Sequence, residues 1–411
     1  MLEENARELL KKYGQEHILA SYNHLDEAGK EKLTNQIMSI DFQKVKELYE
    51  QTKVRPTTGE DKIEPMKYKS AASLSAVEKE KLVELGERVI KENQYAVVMV
   101  AGGQGTRLGH NGPKGTFDIG LASHKSLFEL FCDQLKKARD TYGVVIPWYI
   151  MTSRENNDDT VRFFEEHDYF GYREGVKFFF KQGEFPMVDT EGKLVIGEDY
   201  LVKEAADGHG GIFEAMVNNG VLRDMQERGI QWIFTCAVDN PLAHLADPLL
   251  VGYAISEQVR VASVSIVKNS PEERVGVFCR RNGRPSVIEY TEISEDMAKA
   301  VDENGEFLYG EAHIMMNLFN INVINEIAKE KLPYHSAFKK CNYLSESGEM
   351  VVAEKPNAYK FETFIFDAFV RLEDMGILRY QREECFAPVK NAEGSDSPET
   401  ARKLYEAYYN L

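Results

Sequence analysis

Residues 95–115 read Y-A-V-V-M-V-A-G-G-Q-G-T-R-L-G-H-N-G-P-K-G. The stretch begins as a valine-rich run of strand length and then contains six glycines between positions 102 and 115. A buried parallel strand that leads into a glycine-rich loop presents backbone N–H groups to a polyphosphate. Glycine permits this close approach because it has no Cβ. Arg107 and Lys114 add positive charge at set positions, so the stretch predicts a nucleotide-phosphate cradle rather than an ordinary surface loop.

Two common phosphate-binding motifs do not fit this loop. The P-loop requires G-x-x-x-x-G-K-[ST], and no Lys-Ser or Lys-Thr follows a glycine at that spacing here. The dinucleotide motif G-x-G-x-x-G fails because Leu108 stands where the third glycine is needed, and Gly109 comes one position late. The pattern that remains is G-G-x-G-T-R-L-G followed by P-K-G.

The charge balance and the cysteines limit the class of protein. The 411 residues include 50 basic and 67 acidic side chains, a net charge of −17, which argues against binding to nucleic acid or to an anionic membrane. Five widely spaced cysteines without a C-x-x-C pair fit a reducing compartment and neither a disulfide framework nor a zinc site. No signal-peptide core and no apolar run of membrane-spanning length is recognisable. We therefore expect a cytoplasmic protein of two or three domains.

Three regions are predicted along the chain. Residues 1–94 form an N-terminal helical segment, because their apolar residues recur every three or four positions. Residues 95–385 form the catalytic domain, in which strands and helices alternate. Residues 386–411 form a short C-terminal segment that contributes a phosphate-binding lysine.

The alternation in the catalytic domain predicts an α/β fold. The expected strands are 95–100, 144–151, 176–181 and 230–238, and the expected helices are 126–141 and 212–227. This order is typical of βαβ units with a parallel sheet between helices, and such sheets bind ligands at the carboxyl ends of their strands. Residues 261–322 are richer in short strands and are interpreted as an antiparallel insertion that folds over a substrate.

Asp239 is the best candidate for a metal ligand. It follows the apolar strand 233–238, and a carboxylate beside a phosphate cradle suits Mg²⁺, which completes its coordination with phosphate and water. The alternative is that Asp239 only starts a turn with Asn240 and Pro241, a common use of aspartate.

Five other places carry candidate ligand-binding groups. The second glycine turn, 206–211, contains His209 and is suited to contact with a base or ribose. Gln182 has both donor and acceptor groups, the complement of a uracil edge. Glu289 and Asn317 are the residue types that bind sugar hydroxyls, and the lysine at 390 follows a proline turn. Each has an ordinary alternative as a turn, surface-strand or solvated residue.

No nucleophile elbow is found, because G-x-S-x-G is absent from the sequence. Phosphoryl-type transfer does not need such a group, because positioning and charge neutralisation carry most of the catalysis.

The motifs together resemble those of the UDP-sugar pyrophosphorylases, in the branch that handles UDP-N-acetylhexosamine and UDP-glucose. The resemblance covers most of residues 95–405. Its matching pieces are the glycine loop, Gln182-Gly183, Asp207-Gly208-His209-Gly210-Gly211, Val238-Asp239-Asn240, Ala246-Asp247-Pro248, Val275-Gly276-Val277, Glu289-Tyr290-x-Glu292-Ile293, Phe364-Ile365-Phe366-Asp367 and Phe386-x-Pro388-x-Lys390-Asn391-Ala392.

The resemblance implies a Rossmann-like GT-A nucleotidyltransferase fold with a mixed, mainly parallel sheet. It implies that UTP and a sugar 1-phosphate, foremost N-acetylglucosamine 1-phosphate, give UDP-sugar and pyrophosphate with Mg²⁺. It also implies three groups of site residues. Arg107, Lys114 and Lys390 hold phosphates; Ala101, Gly102, Gly103, Gly105, Thr106, Gln182, Gly208, His209 and Gly210 surround the nucleotide; and Asp239 binds the metal while Asn240, Glu289 and Asn317 face the sugar.

Several alternatives stay open. The turn Gly208-His209-Gly210-Gly211 and the segment 310–319 depart from the acetylhexosamine pattern, so glucose 1-phosphate or a broad range of sugar phosphates is an alternative substrate. A glycosyltransferase on the same fold is disfavoured because Asp239-Asn240-Pro241 is not a D-x-D motif. A non-catalytic UDP-sugar sensor is disfavoured because all three phosphate-binding cations are present. We expect a monomer or a homodimer.

Overall fold

The computed structural model describes residues 4–54 and 61–411 of the chain. The described residues divide into two compact units. The first unit contains the chain up to residue 54 together with 183–211 and 332–364, and the second contains 61–182, 212–331 and 365–411.

The helices and strands are numbered here along the chain. The helices are α1 Glu4–Lys12, α2 Ile18–Tyr22, α3 Glu27–Ser39, α4 Phe42–Lys53, α5 Ala76–Lys91, α6 Leu127–Tyr142, α7 Asn157–Glu166, α8 Ile212–Asn218, α9 Val221–Glu227, α10 Pro248–Ser256, α11 Glu295–Lys299, α12 Ile321–Ile327, α13 Arg382–Cys385 and α14 Pro398–Tyr409. The strands are β1 Ile63–Pro65, β2 Lys69–Ser70, β3 Tyr95–Val100, β4 Trp148–Thr152, β5 Val176–Lys181, β6 Glu184–Pro186, β7 Val188–Asp189, β8 Glu204–Ala206, β9 Trp232–Ala237, β10 Val261–Val267, β11 Val277–Arg281, β12 Arg284–Ile288, β13 Glu311–Asn320, β14 His335–Lys339, β15 Tyr343–Leu344, β16 Met350–Val351, β17 Ala358–Glu362 and β18 Gly376–Arg379.

The second unit is built on a mixed, mainly parallel sheet. Its main strand order is β2-β18-β10-β13-β9-β3-β4-β5. Strand β13 is antiparallel to both β10 and β9, whereas β3 is parallel to both β4 and β9. Because β10 and β13 belong to this sheet, the predicted antiparallel insertion over 261–322 is wrong; the hairpin of β11 and β12 is the part that extends from it.

Strand β3 lies near the centre of the sheet, and both of its faces are buried. Val97 and Val98 are fully buried, as a continuous apolar strand in a parallel sheet requires. Strands β3, β4, β5 and β9 run in the same direction. The segments that follow these four strands therefore lie at one carboxyl edge of the sheet, and the predicted nucleotide-binding residues of this unit begin there.

Of two helices predicted in the second unit, one forms as expected and the other is divided. Helix α6 begins after Ser126, whose hydroxyl accepts a hydrogen bond from the N–H of Glu129 at 3.2 Å, as an N-cap does. The single helix predicted over 212–227 is wrong, because the chain divides into α8 and α9. The break falls at Gly220, which has φ +73°, a conformation that glycine adopts without steric cost and that a helix interior does not contain.

The first unit has its own apolar core, formed by α1, α3 and α4 against residues of 188–202 and 361. Two glutamine side chains tie these helices to the 183–211 segment. Gln15 accepts from the N–H of Leu194 at 2.9 Å, and Gln36 accepts from the N–H of Val202 at 2.9 Å. The division of the chain therefore differs from the predicted regions. Helices α1–α4 share a unit with 183–211 and 332–364, whereas α5 belongs with the large sheet.

A buried ion pair crosses the sheet of the second unit. Arg379 Nε donates to Glu311 Oε1 at 2.9 Å, and the hydroxyl of Ser265 donates to Glu311 Oε2 at 2.6 Å. The side chains of Arg379 and Glu311 are only 12% and 5% exposed.

We expect Glu311→Gln to lower the free energy of unfolding by about 3 kcal/mol, because it leaves the buried guanidinium with only the half-exposed carboxylate of Glu306 as its counter-charge. The measurement is urea unfolding of the intact protein. The matched control is Glu326→Gln, which breaks the half-exposed pair of Arg260 with Glu326 and should cost less than about 1 kcal/mol. Equal losses for the two variants would contradict the prediction.

Two further features bear on the class of protein. The structure has no disulfide among its five cysteines, and all five are buried. No helix in the described part of the chain is long and apolar enough to pass through a lipid bilayer.

Candidate functional site

The glycine loop after β3 folds back on itself. The N–H of Gly105 donates to the carbonyl of Gly112 at 2.9 Å, and the N–H of Lys114 donates to the carbonyl of Gly103 at 3.0 Å. These two bonds pair Gln104 with Pro113 and bring Lys114 next to the start of the loop. The P-K-G piece of the motif is therefore part of the same structure as G-G-x-G, although Pro113 lies ten positions after Gly103 in the sequence.

Several backbone N–H groups of this loop are available to a ligand. Those of Gly103, Gln104 and Thr106 donate no hydrogen bond within residues 4–54 and 61–411. Gly103 and Thr106 are exposed, and Gln104 is half-buried. Unbonded, accessible N–H groups in a tight loop are what binds a phosphate anion, which supports the predicted cradle. Gly105 is buried and serves the fold of the loop.

The start of the loop is held by Asn156, which sequence reasoning did not identify. This side chain is fully buried. Its Nδ2 donates to the carbonyl of Ala101 at 2.9 Å and to that of Gly103 at 3.3 Å. Ala101 is also fully buried, and its N–H donates to Met151 at 2.7 Å. Ala101 therefore fixes the loop, and Gly102 is the first loop residue with exposed surface.

Gln182 lies directly against the loop. A Cβ built on Gly102 would stand 2.8 Å from Gln182 Oε1, so a side chain at position 102 would displace the Gln182 amide from the loop. The backbone of Gln182 is anchored through its N–H to the carbonyl of Thr152 at 2.8 Å. Its side-chain amide makes no hydrogen bond to the described residues, which leaves donor and acceptor groups for a planar base.

Lys114 and Asp239 form the charged centre of the site. Lys114 Nζ is 3.6 Å from Asp239 Oδ2, and the two side chains are 18% and 22% exposed. The structure thus brings together a cation of the glycine loop and the carboxylate that follows β9. Arg107 is exposed in a short turn of the same loop and makes no ion pair in the described part of the chain.

The side chain of Asn240 is buried, and its predicted contact with the sugar gains no support from the structure. The side chain is 3% exposed. Its Nδ2 donates to the carbonyl of Cys385 at 2.8 Å, and its Oδ1 accepts from the N–H of Ala387 at 2.9 Å. Both ends of the amide are therefore used to bind the main chain of residues 385–387.

Lys390 is the first partly exposed residue after a buried run, 385–389. Its N–H donates to the carbonyl of Asp396 at 2.7 Å, and its Nζ is 3.9 Å from Asp396 Oδ2. Burial raises the pKa of the Asp396 carboxyl, and the negative charges of Glu273 and Asp239 act in the same direction, while the Lys390 ammonium opposes them. The charges of Asp396, Lys390 and Asp239 thus act on one another. Sequence reasoning missed Asp396, which lies outside the strand-end pattern.

Asn317 is fully buried, and its predicted contact with the sugar likewise gains no support from the structure. It accepts a hydrogen bond from the hydroxyl of Ser263 at 2.7 Å within the sheet. On the same strand His313 is half-buried, and its Nε2 is 3.1 Å from Asn317 Oδ1. Glu289 is half-buried and directly follows β12. Its predicted contact with the sugar stays a prediction.

A bulge in β13 changes which of its residues pair with β10. Ser263 pairs with Asn317, but Ser265 pairs with His313 instead of Met315, so two extra residues lie on β13. Met315 has φ +59°, a conformation that a bulky residue rarely adopts. No signal in the sequence marks this bulge, because methionine is not a residue that favours the left-handed region.

The second glycine turn belongs to the first unit and is shaped by contacts inside it. The N–H of Gly210 donates to the carbonyl of Thr363 at 2.9 Å, and a Cβ on Gly208 would stand 2.4 Å from that same oxygen. The ring centroid of His209 is 5.4 Å from that of Phe364. Packing against 363–364 therefore accounts for the glycines, and the predicted nucleotide contacts of Gly208, His209 and Gly210 stay predictions.

The donor set suits a magnesium ion that shares its coordination with phosphates. Among the described residues, no three His, Cys, Asp or Glu side chains form a metal-binding group. Mg²⁺ does not need one, since it is held by one or two carboxylates together with substrate phosphates and water. Asp239, partly exposed beside the unbonded N–H groups of the loop, fits that use.

Residues 39–396 match the family model described as UTP–glucose-1-phosphate uridylyltransferase. The chain belongs to this family. The probable UDP-N-acetylglucosamine pyrophosphorylase of Dictyostelium discoideum is 35% identical, and the alignment covers 94% of this chain and 84% of that protein. The UDP-N-acetylglucosamine pyrophosphorylase of Saccharomyces cerevisiae is 38% identical, with 83% of this chain and 74% of that protein covered.

The solved structures agree with this membership. The uridine diphosphate N-acetylglucosamine pyrophosphorylase of Trypanosoma brucei, in complex with an inhibitor, has a TM-score of 0.82 at 32% identity, covering 97% of this chain and 83% of that chain. The UDP-glucose pyrophosphorylase of Leishmania major has a TM-score of 0.61 at 17% identity, with 80% and 68% covered, and shares the fold alone. The predicted family, fold class and enzyme class, a nucleotidyltransferase, are confirmed.

Proposed function

We propose that this protein is a uridylyltransferase that forms UDP-N-acetylglucosamine and pyrophosphate from UTP and N-acetylglucosamine 1-phosphate. The observation that carries this proposal is the pairing of Lys114 with Asp239 at 3.6 Å beside a loop with unbonded N–H groups. The sugar is proposed on the names of the two curated relatives at 35% and 38% identity, which act on UDP-N-acetylglucosamine. The UDP-glucose enzymes support only the fold.

The reaction joins a phosphate oxygen of the sugar phosphate to the α-phosphorus of UTP and breaks the bond to the β-phosphate. Pyrophosphate leaves with the electrons of that bond. In this proposal the leaving phosphates are bound by the loop N–H groups, Arg107 and Lys114. Lys390, which belongs to the C-terminal segment, also binds a phosphate group. Near a protein surface one opposite charge at 4 Å is worth on the order of 4 kcal/mol. Positioned charges can therefore account for much of the catalysis.

Mg²⁺ is the proposed cofactor, and Asp239 is the residue that would hold it. When bound, the ion would supply positive charge to the phosphate oxygens as negative charge shifts toward the leaving group. Gln182, with its unbonded amide, is proposed to read the uracil edge, and Glu289 to bind a sugar hydroxyl. A reducing cytoplasmic location is proposed as well, on the ground that the five cysteines are free and buried.

The test is pyrophosphate release from UTP and Mg²⁺, with N-acetylglucosamine 1-phosphate and glucose 1-phosphate in parallel. We expect kcat/KM for the acetylated sugar to be at least about tenfold higher, the size of one well-placed apolar or polar contact. Comparable rates would replace the proposal with a broad-specificity enzyme, and a preference for glucose would reverse it. Binding of UTP without release from any sugar phosphate would indicate the sensor.

A further inference from the structure

Asp239 and Asn240, in the loop after β9, make three hydrogen bonds to residues 385–389. Asn240 provides two of them through its side chain, one to Cys385 and one to Ala387. The third runs from the N–H of Val389 to the carbonyl of Asp239 at 2.8 Å. The three bonded residues alternate along the chain, so the segment lies extended along Asp239 and Asn240.

The side-chain amide of Asn240 makes both bonds because it carries a donor and an acceptor on separate atoms. One partner is a carbonyl, which needs a donor, and the other is an N–H, which needs an acceptor. Aspartate accepts but does not donate, and an apolar residue does neither. Both backbone partners belong to buried residues, and a buried polar group without a partner destabilises the conformation that contains it.

Lys390 directly follows this bound segment. Its own N–H and that of Asn391 donate to the carbonyl of Asp396, at 2.7 and 3.0 Å. The backbone of Lys390 is thus fixed from both sides, by Asp239 and Asn240 before it and by Asp396 after it. Without the bonds from Asn240, the bond from Val389 would be the remaining one of the three on that side, so the lysine would be held less firmly relative to Asp239.

We propose that Asn240 is a positioning residue that sets the distance of Lys390 from Asp239. This inference rests on the proposed function, in which both groups act on the phosphates of one reaction. Asn240 itself touches neither the nucleotide nor the sugar, because its side chain is buried and both ends are occupied.

The experiment is a double-mutant cycle on kcat and KM with UTP and N-acetylglucosamine 1-phosphate. We expect Lys390→Ala to lower kcat about a hundredfold and Asn240→Ala to lower it about tenfold or more. The KM for UTP should stay within about threefold. In the Lys390→Ala background, Asn240→Ala should change kcat by less than about twofold, since two residues that act through one group are not additive.

The control is Asn156→Ala. It removes an equally buried asparagine that binds main-chain carbonyls, but those of the glycine loop. The factor by which Asn156→Ala lowers kcat should multiply with the factor for Lys390→Ala, because Asn156 acts through the glycine loop. Asn240→Leu, which keeps the branching of the side chain and removes both bonds, replaces Asn240→Ala in the cycle if the latter does not fold.

Three outcomes are decisive. Native kcat in Asn240→Ala or Asn240→Leu would overturn the positioning role while leaving the proposed function intact. The positioning role would also be overturned if the Asn240 variants lowered kcat by the same factor with Lys390 present and with Lys390 replaced by alanine. A purely structural loss of activity would be independent of Lys390, so the two factors would multiply. Native activity of Lys390→Ala would show that this lysine has no role in the reaction, and the positioning role of Asn240 would fall with it. The proposed function would stand, because it is tested separately by UDP-sugar formation with the unchanged protein.

Discussion

Lys114→Ala is expected to lower kcat/KM for UTP by two to three orders of magnitude. The ammonium of Lys114 lies 3.6 Å from Asp239 and is partly exposed beside the unbonded N–H groups of the glycine loop. An opposite charge at about 4 Å contributes on the order of 4 kcal/mol near a surface, and about 1.4 kcal/mol corresponds to a factor of ten. The measurement is the steady-state rate of pyrophosphate release.

The fold should tolerate this change, because Lys114 contributes to the loop mainly through its backbone N–H. The control is Lys137→Ala, which removes an exposed lysine of α6 and should leave the rate within about twofold. Lys114→Arg should recover only part of the activity, since a planar fork does not replace a point charge. Near-native kcat/KM in Lys114→Ala, with an unchanged melting temperature, would remove the lysine from the site.

Asp239→Asn is expected to lower kcat about a hundredfold or more and to raise the Mg²⁺ concentration needed for half-maximal rate. A neutral amide is a weaker ligand for a hard cation than a carboxylate, and it no longer balances the charge of Lys114. The substitution keeps the side-chain shape, and the main-chain bond from Val389 to the carbonyl of residue 239 does not depend on it. The measurement is a magnesium titration of kcat at saturating substrates.

Asp140→Asn is the matched control for the metal. This aspartate is exposed on α6, so the same loss of charge should leave the magnesium titration unchanged. If Asp239→Asn shows the native titration curve, the metal ligand lies elsewhere. If it shows the native curve together with a reduced kcat, Asp239 acts through Lys114 alone.

Local pattern was sufficient for the elements on which the site is built. The valine-rich run before the glycines forms β3 with the predicted bounds, Tyr95–Val100, because an apolar strand buried on both faces has few alternatives. The carboxyl edge was predictable because the glycine loop, Gln182 and Asp239 each follow a strand of the predicted parallel sheet. The family resemblance then assigned the chemistry that composition alone leaves open.

The site predictions that gained no support concern residues whose partners are distant in sequence. Asn240 and Asn317 are residue types that bind sugars, but the structure buries them against Cys385, Ala387 and Ser263. A side-chain amide satisfies a main-chain group as well as it satisfies a ligand, so residue type does not distinguish the two uses.

What the sequence determined by itself is the fold class, the glycine loop and the charged groups at the ends of strands, because periodicity and turn chemistry act over a few residues. Only the tertiary structure decided which polar groups remain open to a ligand. It showed Asn156 holding the loop, the bulge that exchanges Met315 for His313, and Asn240 bonded to the segment before Lys390. The physical reason is that a buried polar group must find a partner wherever the fold provides one, and that choice depends on chain segments brought together only by folding.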